Sequence, residues 1–305
     1  MKYAVIDIGT NSCRLYLADV NGDKQESILK DLQTTRLGEG ITRTHHLESA
    51  PVERTLAAVE SFVRAAREAG VKDENLFLYA TAVVREAENR DAFCRAVLTR
   101  TGQRLTVLPG EAEGKIAYVG AADGKDDCAV LDIGGGSTEM IVRDGETLRA
   151  LSLKIGCVRL KELFPSADGR VNTQPVRDYV LSEFVPVYGQ VLPLKNAKKL
   201  IGVSGTPTTF ASLVQGKKEY DASAVQDFVL SLSALEEELS KLAQMTAQER
   251  ERYTGAFAPR ADIIVYGGCL LAELMRFYGF SSVTASDRDS LEGFLTCALK
   301  APFAE

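Results

Sequence analysis

Apolar and polar positions along this 305-residue chain run through the same pattern twice. Residues 4–12 read AVIDIGTNS and residues 129–137 read AVLDIGGGS, identical at six of nine positions and 125 residues apart. Each is a short apolar run ending in an acid, then a Gly turn with small hydroxyl residues. That pattern predicts a buried strand feeding a tight loop. Each copy also continues alike. Leu15 and Leu17 alternate ahead of the turn Asn21-Gly22, and Met140 and Val142 ahead of Asp144-Gly145. Period-2 alternation closed by such a turn predicts a hairpin in both places.

The segments that follow read as α/β. Val52, Leu56, Val59, Val63 and Ala66 step by four and three along 51–69, an amphipathic helix with Pro51 in its first turn and Gly70 at its C-terminal cap. LFLYA at 76–80 reads as a strand, 88–100 as a helix closed by Gly102, and RLTVL at 104–108 as a strand. A further helix starts at Glu111, after Pro109-Gly110, and runs through Tyr118. The second half predicts helices near 173–190, 223–243 and 262–278 and a strand at 199–203. The polar stretch Gly120–Asp127 (GAADGKDD) is the expected boundary, giving domains 1–122 and 123–305, with the C-terminal helix able to pack back on the first. Two similar halves predict a ligand held in a cleft between them.

Composition narrows the chemistry. A length about twice one domain, with 45% hydrophobic and 26% charged residues, excludes a disordered or fibrous chain. The start MKYAVIDIGTN has an acid after a short apolar run, so no secretory leader is expected. No run approaches the roughly 20 apolar residues of a membrane span. Cys13, Cys94, Cys128, Cys157, Cys269 and Cys297 lie far apart without a C-x-x-C pair and read as reduced, mostly buried thiols of a cytoplasmic protein. The two histidines, His45 and His46, are adjacent, which leaves no material for a His-based metal cluster or a Ser-His-Asp triad. Catalysis must then rest on carboxylates, backbone amides, Arg and Lys. A net charge of −6 argues against general nucleic-acid binding, and a polyanionic substrate would need a local basic lining.

The most informative run is Asp132-Ile133-Gly134-Gly135-Gly136-Ser137-Thr138-Glu139. Three glycines after a strand let backbone amides approach phosphate oxygens, and Ser137 and Thr138 add hydroxyls. Asp132 and Glu139 are oxygen donors suited to Mg²⁺ or to ordering a water beside it. A tight hairpin with incidental acids is the simpler interpretation. The matching turn Asp7-Ile8-Gly9-Thr10-Asn11-Ser12 favours phosphate binding.

Two such loops, one per half, resemble the phosphate-binding pair of the actin-like ATPase superfamily, with its two ribonuclease-H-like domains. Further motifs narrow the resemblance to the exopolyphosphatase and guanosine pentaphosphate phosphohydrolase (Ppx/GppA) family, in its short form without a C-terminal histidine-aspartate domain. Ala80-Thr81-Ala82-Val83-Val84-Arg85-Glu86-Ala87-Glu88-Asn89 resembles that family's A-T-x-A-x-R-E-A-x-N, and Gly110-Glu111-Ala112-Glu113-Gly114 with Tyr118 and Gly120 resembles G-x-E-E-A-x-x-x-Y-x-G. Asp132–Glu139 matches D-I-G-G-G-S-T-E, Gly156–Leu160 matches G-x-V-R-L, Gly202–Thr206 is similar to G-x-G-G-T, and Arg260-Ala261-Asp262 with Gly267-Gly268 fits as well.

The resemblance implies Glu113 as the base that activates water, Arg85 on the transferring phosphate, and Asp132 and Glu139 around Mg²⁺ (or Mn²⁺) and that water. It implies a phosphate cradle of Asn11, Ser12, Gly134, Gly135, Gly136, Ser137 and Thr138. From position alone Glu113 is better explained as a carboxylate in a helix's first turn, and Arg85 as a solvated partner of Glu86 or Glu88. The implied function is hydrolysis of the terminal phosphoanhydride of polyphosphate, with short chains favoured, or of guanosine pentaphosphate; a homodimer is also compatible with it. Rival readings are an ATP-dependent small-molecule kinase of the same fold and a non-catalytic sensor of polyphosphate or an alarmone. Arg14, Lys115, Lys154, Arg159, Lys161, Lys198-Lys199 and Lys217-Lys218 are the cations near the motifs. Three positions depart from the family pattern: Ala112 for an acid, Ser204 for a Gly, and Ser286–Gly293, where Leu291 stands for an Arg.

Overall fold

The computed structural model describes residues 1–22, 24–122, 127–190 and 197–300. The chain divides into two compact units: Met1–Gly120 together with the segment from Ser290, and Ala121–Asp289. The first is built on strands β1 (Lys2–Ile8), β2 (Cys13–Asn21), β3 (Lys24–Gln33), β4 (Leu76–Ala80) and β5 (Leu105–Val107), in the order β3-β2-β1-β4-β5. The second is built on β6 (Cys128–Ile133), β7 (Thr138–Asp144), β8 (Thr147–Leu153), β9 (Lys199–Val203), β10 (Val229–Ser231) and β11 (Ser282–Ala285), in the order β10-β11-β9-β6-β7-β8. Three antiparallel strands followed by parallel ones occur in both sheets, and β10 is an antiparallel addition to the second. Both units thus carry the ribonuclease-H-like arrangement expected from the repeated motif.

The first strand of each sheet is apolar apart from its acid and, in β1, Lys2, because both its faces are covered. Ala4, Ile6 and Ile8 pack with Leu56, Val59, Phe62 and Val63 of the helix Ser49–Glu68. Tyr3 and Val5 pack on the other face with Ile116, Leu291, Phe294 and Leu295. Asp7 shares the parity of Tyr3 and Val5, so this acid lies on the face of the helices Gly110–Ala122 and Ser290–Lys300. In the second unit Ala129, Leu131 and Ile133 join the large core, and Asp132 belongs to the opposite face.

Most of the expected elements are present, including both hairpins, with Gly22 at φ 60° and Gly145 at φ 61° in their turns. The long helix expected over 223–243 is not. A short helix, Ala222–Val225, is followed by β10 and then by the helix Leu232–Gln244. Asp227 at φ 62° breaks the helical path, β10 pairs with the distant β11, and the Ser231 side chain caps the new helix at Ala234. The helix near 173–190 ends at Phe184 and tightens into a 3₁₀ turn over Val185–Gln190. Part of the expected boundary stretch lies outside the described residues.

The helix Ser290–Lys300 lies so close to the helix Gly110–Ala122 that a Cβ on Gly293 would fall 1.7 Å from the Ile116 carbonyl oxygen. Glycine is required there by space. Gly293→Ala should therefore lower the unfolding free energy by roughly 1–3 kcal/mol, a usual overpacking cost. Urea unfolding with an unchanged midpoint would contradict this packing.

Candidate active site

The two repeated loops close in the same way. Gly9 N donates to Ser12 O at 3.0 Å, and Gly134 N donates to Ser137 O at 3.0 Å. Each loop is also tied back through its carbonyl oxygens. In the first unit Thr35 N (3.1 Å) and Arg36 N (2.8 Å) donate to Asn11 O, and Gly38 N donates to Thr10 O at 2.8 Å. In the second, Cys157 N donates to Gly134 O (3.1 Å), Val158 N to Gly135 O (2.9 Å), and Arg159 Nε to Gly136 O (2.7 Å). Close approach makes this possible: a Cβ on Gly38 would lie 2.3 Å from Thr10 Cγ2, and one on Gly156 would lie 2.5 Å from Gly135 O.

Tying back the carbonyls decides where the amides point. No peptide bond among the described residues is cis, and in a trans peptide the C=O and the following N–H point in opposite directions. The amides of Asn11 and Ser12, and those of Gly135, Gly136 and Ser137, therefore point away from the segments that hold the loops. Among the described residues no acceptor is placed against any of them. Clustered outward amides of this kind form an anion-binding nest. Thr138 is an exception among the expected cradle residues. It is fully buried and its hydroxyl donates to Ile155 O at 2.6 Å, so it holds the hairpin rather than facing a ligand.

Side chains beside the loops differ between the units. Asp132 faces Glu139 across β6 and β7, Glu139 faces Ser152 across β7 and β8, and Asp132 faces Val203 of β9. The row Val203–Asp132–Glu139–Ser152 thus crosses four strands on one face. Asp132 and Glu139 are buried, and Ser152 Oγ donates to Glu139 Oε1 at 2.6 Å. The corresponding row in the first unit is Tyr79–Asp7–Arg14–Leu32. There Arg14 compensates Asp7 through Nη2 (2.6 Å) and Nε (2.9 Å), and Ser290 Oγ accepts from Arg14 Nη2 and from the Tyr79 hydroxyl. No group of three or more His, Cys, Asp or Glu among the described residues could hold a metal; the acids flanking the glycine loop are Asp132 and Glu139. Two carboxylate oxygen donors completed by water and substrate phosphate suit Mg²⁺ or Mn²⁺.

Arg85 and Glu113 are brought together in the first unit. Arg85 Nη1 donates to Glu113 Oε2 at 3.0 Å and to Leu108 O at 2.8 Å. Glu113 is buried one turn into its helix, whereas Glu111 is exposed and Ala112 half-buried. Arg85 is therefore not a solvated partner of its acidic neighbours, and Glu113 is more than a first-turn carboxylate.

Several of the cations near the motifs are already engaged: Lys161 with Asp262, Lys198 with Asp127, Lys217 with Asp221, and Lys218 with the Tyr253 carbonyl. Cys157 sits directly behind the glycine loop, where burial pushes its thiol up to about 11 and its Sγ donates to Gly134 O. It is packing, not a nucleophile. Ser204 takes φ 68° and ψ −170°, a region glycine normally fills, so the loop keeps a glycine geometry at a strain of roughly 1–3 kcal/mol. Leu291 is buried among Tyr3, Val5, Tyr16 and Tyr79, so this position belongs to the first unit's core. The sequence does not single out Gly38 or Ser152; one lies in a segment without a motif, the other in a strand of mixed polarity that also holds Thr147 and Arg149.

The Ppx/GppA phosphatase family model matches residues 17–301. The chain is 30% identical to a bifunctional 3-dehydroquinate synthase/phosphatase of Fusobacterium nucleatum, covering 95% of this chain and 45% of that protein, so it spans less than half of that relative's length. It is 30% identical to exopolyphosphatase 2 of Mycobacterium tuberculosis, covering 96% of this chain and 97% of that one. The crystal structure of an exopolyphosphatase-like protein superposes with a TM-score of 0.89 at 28% identity over 99% of both chains. No helix among the described residues is long and apolar enough to cross a membrane.

The backing of the glycine loop yields a direct test. Gly156→Ala should displace Gly135 and weaken pyrophosphate binding roughly tenfold, about 1.4 kcal/mol, in titration calorimetry. Wild-type affinity in a variant with a wild-type melting temperature would show that the loop is not the phosphate cradle.

Proposed function

The chain belongs to the Ppx/GppA phosphatase family, and we propose that it is an exopolyphosphatase that removes the terminal phosphate of inorganic polyphosphate. The observation that carries this reading is the pair of matched loops whose carbonyls are tied back and whose amides point outward. A terminal phosphoanhydride offers the oxygen-rich group such amides bind. Net charge −6 opposes a long polyanion at a distance, which favours short chains.

In this reading the glycine loop with Asp132 and Glu139 binds the terminal phosphate, and Glu113 and Arg85 act in the roles that the family resemblance implies. Glu113 takes a proton from a water as its oxygen bonds to the terminal phosphorus. The anhydride P–O bond breaks, releasing inorganic phosphate and a chain one phosphate shorter. Arg85 is suited to move from Glu113 to the phosphate, where its forked donors match two oxygens and its departure frees the carboxylate to act as base. The amides of Gly135, Gly136 and Ser137 bear the charge on the equatorial oxygens, and positioning of this kind is most of what phosphoryl transfer requires. Asp132 and Glu139 would hold Mg²⁺ (or Mn²⁺), which neutralises phosphate charge when bound.

Phosphate release from short polyphosphate, long polyphosphate and guanosine pentaphosphate, without added nucleotide, tests the assignment. Short polyphosphate should be turned over with the highest kcat/KM. Faster release from guanosine pentaphosphate would assign the alternative family substrate, and no release from any of them would favour a binding protein or a kinase. Glu113→Gln should lower kcat by about 10²–10⁴ with KM nearly unchanged. A wild-type kcat in that variant would remove Glu113 from the mechanism.

A further inference from the structure

We propose that Ser152 is a positioning residue for Glu139, fixing the carboxylate that faces the phosphate site; the inference rests on the role assigned to Glu139 above. Ser152 lies outside every motif that marks the site. It comes from β8 and reaches Glu139 only because the strand register sets the two opposite each other. Its neighbours Leu151 and Leu153 turn to the large core on the other face of the sheet. The pleat thereby commits Ser152 to the face of Asp132 and Glu139.

A glutamate needs such a partner here. Its terminal torsion is broad and roughly two-fold, so packing of the methylene groups leaves the carboxylate plane poorly defined. Asp132 stands directly across from Glu139, and two acids opposed in a sheet repel rather than align one another. Ser152 supplies a short O–H···O bond of 2.6 Å to one named oxygen, Oε1, of a carboxylate that is 1% exposed. A hydroxyl bonded to an ionised acceptor is among the stronger neutral-donor contacts, and it selects one orientation of the plane. The equivalent place on the third strand of the first unit holds Leu32, and the hydroxyl bonded to Arg14 there comes instead from Ser290, outside the sheet.

Partners that orient a ligand carboxylate typically change metal affinity or activity 10–100-fold when removed. Ser152→Ala should therefore lower kcat on short polyphosphate by roughly tenfold with KM little changed, and weaken Mn²⁺ binding to substrate-free protein about as much. The binding is read by electron paramagnetic resonance, independently of turnover. Ser152→Thr, which keeps the hydroxyl, should restore both, and Ser152→Cys, nearly isosteric with a weak donor, should fall between. Melting curves identify any variant that fails to fold, and the Thr and Cys pair then decides. Glu139→Gln measured alongside separates the two levels of the claim. If Glu139→Gln loses Mn²⁺ and turnover while Ser152→Ala retains both, the positioning role is wrong and the site stands. If Glu139→Gln is itself wild type, the assignment of Glu139 falls and this inference with it.

Discussion

Two buried carboxylates opposed across neighbouring strands are the constraint around which the second unit is organised. Cross-strand partners have Cβ atoms about 5 Å apart, so a charge on one acid is felt by the other. Asp132 and Glu139 lie at the two ends of a loop whose amides are aimed outward by the segment 156–159. Acids and amides side by side are what the proposed binding of a cation together with a phosphate would use. Each would relieve the cost that the other imposes.

The internal repeat shows how one scaffold was divided into two roles. The strand, the loop closure and the tying back of the carbonyls are the same in both units. The cross-strand partner of the aspartate differs: Arg14 in the first, Glu139 in the second. One pair joins opposite charges and is held by two hydrogen bonds. The other pair is doubly acidic. The first unit instead contributes an acid from its neighbouring helix, Glu113, kept in place by Arg85. Gly293 brings the final helix against the helix that carries Glu113, which ties this acid's position to the core of the unit.

Much of this was legible in the sequence because it is local. Strands β1 and β6 and their loops are written as apolar runs ending in Asp-Ile-Gly, and the helix Ser49–Glu68 as steps of four and three. The resemblance of Ala80–Asn89 and Gly110–Gly114 to family motifs pointed to Arg85 and Glu113, and the structure brings these two into contact. What local pattern could not carry was pairing at a distance. β10 looked helical because Val225, Leu232, Leu235 and Leu239 keep a helical spacing, while its partner β11 lies some fifty residues further on. β3 is largely exposed and mixes Ile28, Leu29 and Leu32 with polar residues without a period to read. Ser152 depends on register alone, and Leu291 looked like a lost surface cation until its side chain was found inside the first unit's core.

The account turns on whether the acidic pair and the outward amides serve one phosphate group. Crystals of the protein with Mn²⁺ and pyrophosphate, measured at the manganese absorption edge, address this directly. The account predicts an anomalous peak about 2.1 Å from carboxylate oxygens of Asp132 and Glu139, with a phosphate on the amides of Gly135, Gly136 and Ser137. Manganese bound elsewhere, or phosphate bound with those amides unoccupied, would contradict it.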